Sequence, residues 1–347
     1  MKLRSGFSRL ADVSGNFMLD LLRRRRLDSA IRSLKSGRSR VVVGPWFGEV
    51  GFEILYWIPF LNFLIQKYDL DPSLVTVISR GNTAQWYSVL GDVTYRELFD
   101  VLSVEEFRRI NSDRAKSTGR IKQMKHDEVE MEILSRLVGF MPREADIIHP
   151  GVMYALFLDY WHQRRSVAQV EKFLRFEKIL VAPDHLPAPL ECGDYVAVKF
   201  YFSDAFPANT NNNQFISRVI LRLAEKQTVF LLDSNLEVDD HSDAMVNALN
   251  HPNVFSLRGN ISPRDNLGIQ TEIISKARAF VGNYGGFSYL APFLGVPSYS
   301  CFSKQTFHTT HNDIMLRALL RLQSGAGGER AEFICMSTSG MSDFFKL

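Results

Sequence analysis

Cysteine is scarce in this chain of 347 residues, with three in all. Cys192, Cys301 and Cys335 lie far apart, with no CxxC pair and no histidine at metal-ligand spacing, so neither a disulfide framework nor a structural zinc site is expected. Long apolar runs are also missing. The longest, such as ILYWIPFLNFLI, are too short to span a bilayer, and no secretory leader pattern is legible, which points to a cytosolic compartment. There is no GxSxG elbow and no cysteine beside a histidine, which argues against nucleophilic catalysis. The GxxxxGK[ST] phosphate loop of ATPases and kinases is absent, and no convincing DxD metal motif occurs.

What is present is an ordinary globular composition, 46% hydrophobic, with a net charge of +3. The length favours two domains of about 150 residues each. The charge is unevenly spread. Residues 1–40 hold 11 Lys or Arg against three Asp, a net +8, so the remainder carries −5. Phe17, Met18, Leu19, Leu21 and Leu22 precede Arg23–Arg26, a pattern suited to an anionic membrane face and equally to a solvated tail. Nucleic acid is not expected, because no aromatic-interleaved basic surface continues into the body.

The body alternates strand and helix signals. Val41–Val43 reads as a buried strand, followed by the loop GPWFGEVGFE, a helix over Ile54–Tyr68 and a strand over Leu74–Ile78. Trp86–Leu102 reads as helical, and Val104–Glu144 as a mobile loop passing into a helix at Glu128–Val138. Further helices are expected at Tyr154–Tyr160 and Val167–Phe176, before the proline-rich PDHLPAPLECG, Pro183–Gly193, which marks a domain boundary. A second alternation follows: strands at Tyr195–Phe202, Thr228–Leu232, Val254–Leu257, Ala279–Gly282 and Val296–Cys301, and helices at Phe215–Lys226, His241–Asn250 and Asn266–Ala277. The expected fold is α/β, with two Rossmann-like domains facing across a cleft. The division is a basic arm 1–37, a domain 38–185, a domain 186–325 and a tail 326–347.

The run VGNYGGFSYLAPFLGVPS, Val281–Ser298, joins a strand, a glycine turn and an apolar helix. Gly285 and Gly286 would let an anion approach the backbone, and a helix opening at Phe287 and Ser288 would offer unpaired N–H groups to a phosphate. An ordinary strand-to-helix turn is the plainer reading. Both Gly44–Glu53 and Asn283–Ser288 fall at the carboxyl ends of strands, where open α/β sheets bind ligands.

Two such halves resemble the GT-B glycosyltransferases. The segment ARAFVGNYGGFSYLAPFLGVPSYSCF looks like the heptosyltransferase-type run of strand, glycine-serine turn, helix, LGVP and strand, and is similar to the corresponding turn of bacterial fucosyltransferases. The resemblance is specific over roughly Ser275–Phe302, looser over Gly44–Phe60 and Tyr195–Asp204, and absent elsewhere. It implies a sugar nucleotide in the second domain. Asn283, Gly285, Gly286, Phe287 and Ser288 would then line its phosphates, Lys199 would face the diphosphate leaving group, with Arg258 and Arg264 as weaker cations, and Glu272 would meet the ribose. It further implies an acceptor in the first domain, with Glu49 or Glu53 as base; either acid also suits a helix first turn.

Asp204 reads more readily as a turn residue. His308 and His311 lack a third ligand, and Asp239, Asp240, His241 and Asp243 more plausibly form a polar loop and helix cap than a metal site. The resemblance therefore implies a transferase that moves a sugar to a hydroxyl of a glycan or lipid-linked acceptor, inverting, with no cofactor and no metal. It would sit in the cytoplasm or peripherally on the membrane. A sugar-nucleotide epimerase or hydrolase, and a non-catalytic nucleotide- or glycan-binding protein, remain open alternatives.

Overall fold

Short β-branched runs build two parallel sheets. In the computed structural model, Arg40–Val43 (β1), Val75–Ser79 (β2), Thr94–Glu97 (β3) and Ala145–Ile148 (β4) form a four-stranded sheet ordered β3-β2-β1-β4. Val41, Val42 and Val43 are all buried, as a strand covered on both faces requires. Tyr195–Lys199 (β5) begins the second half, and Tyr201–Phe202 (β6) continues from it. Thr228–Leu231 (β7), Ser242–Asp243 (β8), Val254–Ser256 (β9), Ala279–Asn283 (β10), Ser298–Phe302 (β11) and Phe333–Ser337 (β12) follow. The second sheet is parallel throughout and ordered β12-β11-β10-β5-β7-β9, while β6 and β8 form a small antiparallel pair. The structure describes residues 40–118, 123–124, 127–139, 145–182, 194–234, 236, 238, 242–243, 251–259, 261–304, 309–324 and 331–346.

Helices cover the sheets. Val50–Phe52 (α1) runs through a π turn, Glu53–Trp57, into Ile58–Tyr68 (α2). Val104–Thr118 (α3), Glu128–Val138 (α4), Pro150–Trp161 (α5) and Val167–Glu171 (α6) complete the first half. The second half adds Thr210–Ala224 (α7), Asn266–Lys276 (α8), Gly286–Phe293 (α9), Thr309–Gln323 (α10) and Thr338–Phe345 (α11). Among the described residues no helix is long and apolar enough to cross a membrane.

The two Rossmann-like halves read from the sequence are present, with corrections of detail. The Trp86–Leu102 stretch is a 3-10 turn over Ala84–Leu90 and then strand β3, broken by Gly91 at φ 95°. The charged stretch after Val104 is helical from its start. Ser103 and Glu106 cap it reciprocally, Glu106 N donating to Ser103 Oγ at 3.2 Å and Ser103 N to a Glu106 carboxylate oxygen at 2.8 Å. Residues 333–345, read as tail, supply the edge strand β12 and helix α11, whose Met341 is fully buried. Ser242 and Asp243, read as helical, belong to β8. The basic arm before residue 40, the segment 183–193, Asp239, Asp240, His241, the rest of the expected helix 244–250, and His308 lie outside the described residues.

The halves share one core. A single buried cluster includes Trp46, Trp57 and Tyr154 of the first half with Phe280, Phe287 and Leu290 of the second. Polar clamps cross the same boundary: Gly268 N donates to Gly81 O at 2.7 Å, and Trp86 Nε1 to Thr271 Oγ1 at 2.8 Å.

Candidate active site

Each sheet reverses its strand order beside its own first strand. In chain order the strands run 3-2-1-4 in the first sheet and 3-2-1-4-5-6 in the second, so the reversal lies between β1 and β4, and between β5 and β10. Crossovers leave opposite faces of the sheet at that point, which opens a crevice at the strands' carboxyl ends. Lys199 ends β5, Asn283 ends β10, and the register pairs Lys199 with Gly282. Four of the residues expected to hold a donor, Lys199, Asn283, Gly285 and Phe287, therefore meet at one reversal.

Lys199 is 8% exposed. Its Nζ donates to Leu232 O at 2.8 Å and lies 4.9 Å from the Phe287 ring centroid, so carbonyl and π face hold the ammonium in place. Asn283, 1% exposed, accepts the Tyr201 N–H on Oδ1 at 3.0 Å, which fixes the amide's orientation and leaves Nδ2 buried with no acceptor among the described residues. A buried N–H group in that condition is costly unless something else accepts it.

The glycine turn differs from the expected cradle. Gly285, at φ 149°, turns its N–H onto Ser288 Oγ at 3.2 Å, and Ser288 Oγ donates back to Gly285 O at 2.8 Å, so Ser288 closes the turn. A methyl on Gly285 would run into the Tyr201 hydroxyl, and one on Gly286 would lie 2.8 Å from Gly51 N and from Val50 Cβ. Gly286 is therefore open toward the first half's loop, which packs on it, and its small size serves that contact.

The loop after β1 carries the two expected bases, and they stand apart in burial. Glu53 is fully buried at the start of the π turn: Ser79 Oγ and Tyr87 Oη each donate to Oε1 at 2.5 Å, and Arg80 Nη1 is 3.5 Å from Oε2. Such a carboxylate ties β2 to the helix. Glu49 is half-buried between Gly48 and Val50. Burial, and after it the charge of Glu49, holds Tyr154 well above the ordinary phenol range, and a methyl on the neighbouring Gly48 would lie 2.7 Å from the Tyr154 hydroxyl.

A second buried network fixes the loop from below. Gln123 donates to Pro45 O at 2.9 Å and accepts from Phe47 N at 2.8 Å, and Arg80 Nη2 donates to Gly48 O at 2.8 Å. Glu130 collects Arg114 at 2.7 Å, Gln123 at 3.0 Å and His149 Nε2 at 2.9 Å. His149 Nδ1 accepts from Gly151 N at 3.0 Å, so the proton resides on Nε2 and points at Glu130. Burial pushes the Glu130 carboxyl up, but His149, Gln123 and Arg114 outweigh it and hold it below the ordinary range. The sequence reading missed this network and Tyr201. The visible signals were His149 just before Pro150 at a strand end, and Tyr201 two residues beyond Lys199.

The remaining candidates lie elsewhere. Arg258 pairs with Asp233 at 3.3 Å, near the ends of β7 and β9, and Arg264 joins Asp100 of the first half at 2.6 Å. Arg264 is thus a clamp between the halves. Glu272 is half-buried on α8, which packs against α9. His311 accepts from or donates to Tyr56 Oη at 2.8 Å and meets Phe52 edge to face, so it belongs to the shared aromatic core. Asp204 is exposed in the turn after β6. Burial raises the Cys301 thiol, and Cys335 is pushed up to about 11.

No protein-family description matches the chain, and no curated protein sequence does. The resemblance seen in the sequence is met among solved structures. One is the glycosyl transferase family 9 protein of Veillonella parvula DSM 2008, at 12% identity, covering 89% of this chain and 88% of that one, with a TM-score of 0.46. A second is E. coli heptosyltransferase WaaC with ADP, at 13% identity, covering 88% and 99%, with a TM-score of 0.42. A third is the iron-containing dodecameric glycosyltransferase TibC of enterotoxigenic E. coli H10407, at 14% identity and a TM-score of 0.40, covering 76% of this chain. This chain spans only 58% of TibC's length. At such scores the likeness carries no argument about activity. It does correct one expectation, that no metal takes part, since TibC is described as iron-containing. Among the described residues, no group of three His, Cys, Asp or Glu could hold an ion.

Proposed function

We propose that this chain is a glycosyltransferase that binds a sugar nucleotide in its second half and transfers the sugar to a hydroxyl of a glycan or lipid-linked acceptor. One observation carries the reading: a lysine ammonium and a buried amide with unmatched N–H groups, Lys199 and Asn283, stand together at the strand-order reversal. Donors of that kind suit a diphosphate. Glu49, two residues from the Gly51 that abuts Gly286, is the partly exposed carboxylate on the facing loop.

In the proposed reaction Glu49 accepts the proton of the acceptor hydroxyl. The acceptor oxygen bonds to the anomeric carbon as the bond from that carbon to the phosphate oxygen breaks, and the electron pair leaves with the nucleotide. Lys199 and Asn283 meet the charge that gathers on the leaving oxygens, where fixed donors act most strongly. Direct attack of this kind inverts the anomeric carbon. The net +8 of residues 1–40 supports an anionic membrane surface as the place where a lipid-linked acceptor is met.

Thermal shift with ADP, UDP, GDP, dTDP and CMP, and with the corresponding sugar nucleotides, tests the reading, since a ligand of the native state raises its stability by mass action. At least one is expected to raise the melting temperature, and Glu49→Gln to stop transfer while keeping that shift. No shift with any of them contradicts donor binding. Nucleotide release at the same rate with and without acceptor would mark a hydrolase instead.

A further inference from the structure

Two of the groups that the sequence pattern offers to a phosphate, the Gly285 N–H and the Ser288 hydroxyl, are spent on one another. What stands over Gly285 is the side chain of Tyr201. Its backbone N–H is held by Asn283 Oδ1 at 3.0 Å, so the residue whose Nδ2 lacks an acceptor is also the residue that fixes Tyr201. The Tyr201 hydroxyl reaches Tyr284 O at 3.3 Å, longer than the usual O–H···O bond. Tyr201 is 8% exposed, so the ring is packed while the hydroxyl sits on the turn between β10 and α9.

We propose that Tyr201 is a phosphate-binding residue of the donor site, and that Gly285 is glycine in order to admit the tyrosine hydroxyl. An anionic phosphate oxygen is a stronger acceptor than the Tyr284 carbonyl, and a hydroxyl rotates to suit, so Tyr201 exchanges a long neutral bond for a charge-assisted one. With Lys199 Nζ and Asn283 Nδ2 it makes a side-chain donor set. This inference rests on the donor-binding reading above.

The test is isothermal titration of the full chain with inorganic pyrophosphate and with ADP, UDP, GDP, dTDP and CMP, comparing wild type with Tyr201→Phe. Phe keeps the ring and removes only the hydroxyl. Affinity for pyrophosphate, and for whichever nucleoside diphosphate binds wild type, is expected to fall roughly tenfold, the worth of one hydrogen bond to an anion, with an unchanged melting temperature in the absence of ligand. Equal affinity in the two proteins overturns the role of Tyr201 while leaving the donor site standing. A fall in affinity matched by a fall in melting temperature also overturns it, since the hydroxyl would then be structural. Failure of wild type to bind any of these probes removes the donor site and this inference together.

Discussion

Both sheets reverse their strand order beside their first strand, and the two reversal points are furnished in opposite ways. In the first, buried charges meet partners from the same half: Glu130 with Arg114 and His149, Glu53 with Arg80. In the second, Lys199 is held by a carbonyl and a ring, and Asn283 keeps a buried amide nitrogen with no acceptor among the described residues. In the proposed reading, one topology serves as a rigid mount in one half and as an anion seat in the other. The mount presents Glu49, the seat presents donors, and the Gly51–Gly286 contact sets the two side by side.

The comparison breaks most readily at the mount. Glu130→Ala removes the buried carboxylate shared by Arg114 and His149 and is expected to cost about 3–5 kcal/mol in urea unfolding, as removal of one partner from a buried ion pair does. A loss below about 1 kcal/mol would mean the network is ornamental. At the seat, Lys199→Met is expected to lower nucleotide affinity about 10- to 100-fold in titration, with a small effect on unfolding. If the unfolding effect is the larger one, the seat is a second mount.

Gly286→Ala probes the line between them. The added methyl meets Val50 and Gly51 at 2.8 Å, so the expected outcome is about 1–3 kcal/mol of lost stability with nucleotide affinity little changed. The reading of Gly286 as a position that lets an anion approach the backbone expects damage to binding first, so the titration decides between the two. The smallest effect is a pH slope. Glu130 has its carboxyl held below the ordinary range, so its stabilisation is complete above the unfolded value of about 4.3 and is lost as pH falls through the folded value. Wild type should therefore lose stability below about pH 4 more steeply than Glu130→Gln, and parallel slopes would contradict the shift.

The two alternations of strand and helix were legible because β-branched runs such as VVV and YVAVK leave little choice of structure. The capping residues Ser103 and Glu106 were equally legible and announce α3, but the charged stretch that follows disguises a helix with only one buried face. Lys199 and Asn283 were named as candidates from the resemblance, at strand ends, where such sheets bind ligands. Tyr201 was not, because only the fold brings its hydroxyl onto Gly285. Glu53 and Glu49 look alike in GPWFGEVGFE, and burial alone separates them: one is sealed by Ser79, Tyr87 and Arg80, the other is half-buried on the facing loop.

The most direct measurement is nucleotide binding to Asn283→Asp beside wild type. The aspartate keeps an acceptor for the Tyr201 N–H and replaces the unmatched donor with a negative oxygen. The account predicts that a nucleoside diphosphate binds wild type and raises its melting temperature, and that Asn283→Asp, while still folded at the temperature of the titration, no longer binds. Binding that is indifferent to this substitution would contradict an anion seat at the reversal of the second sheet.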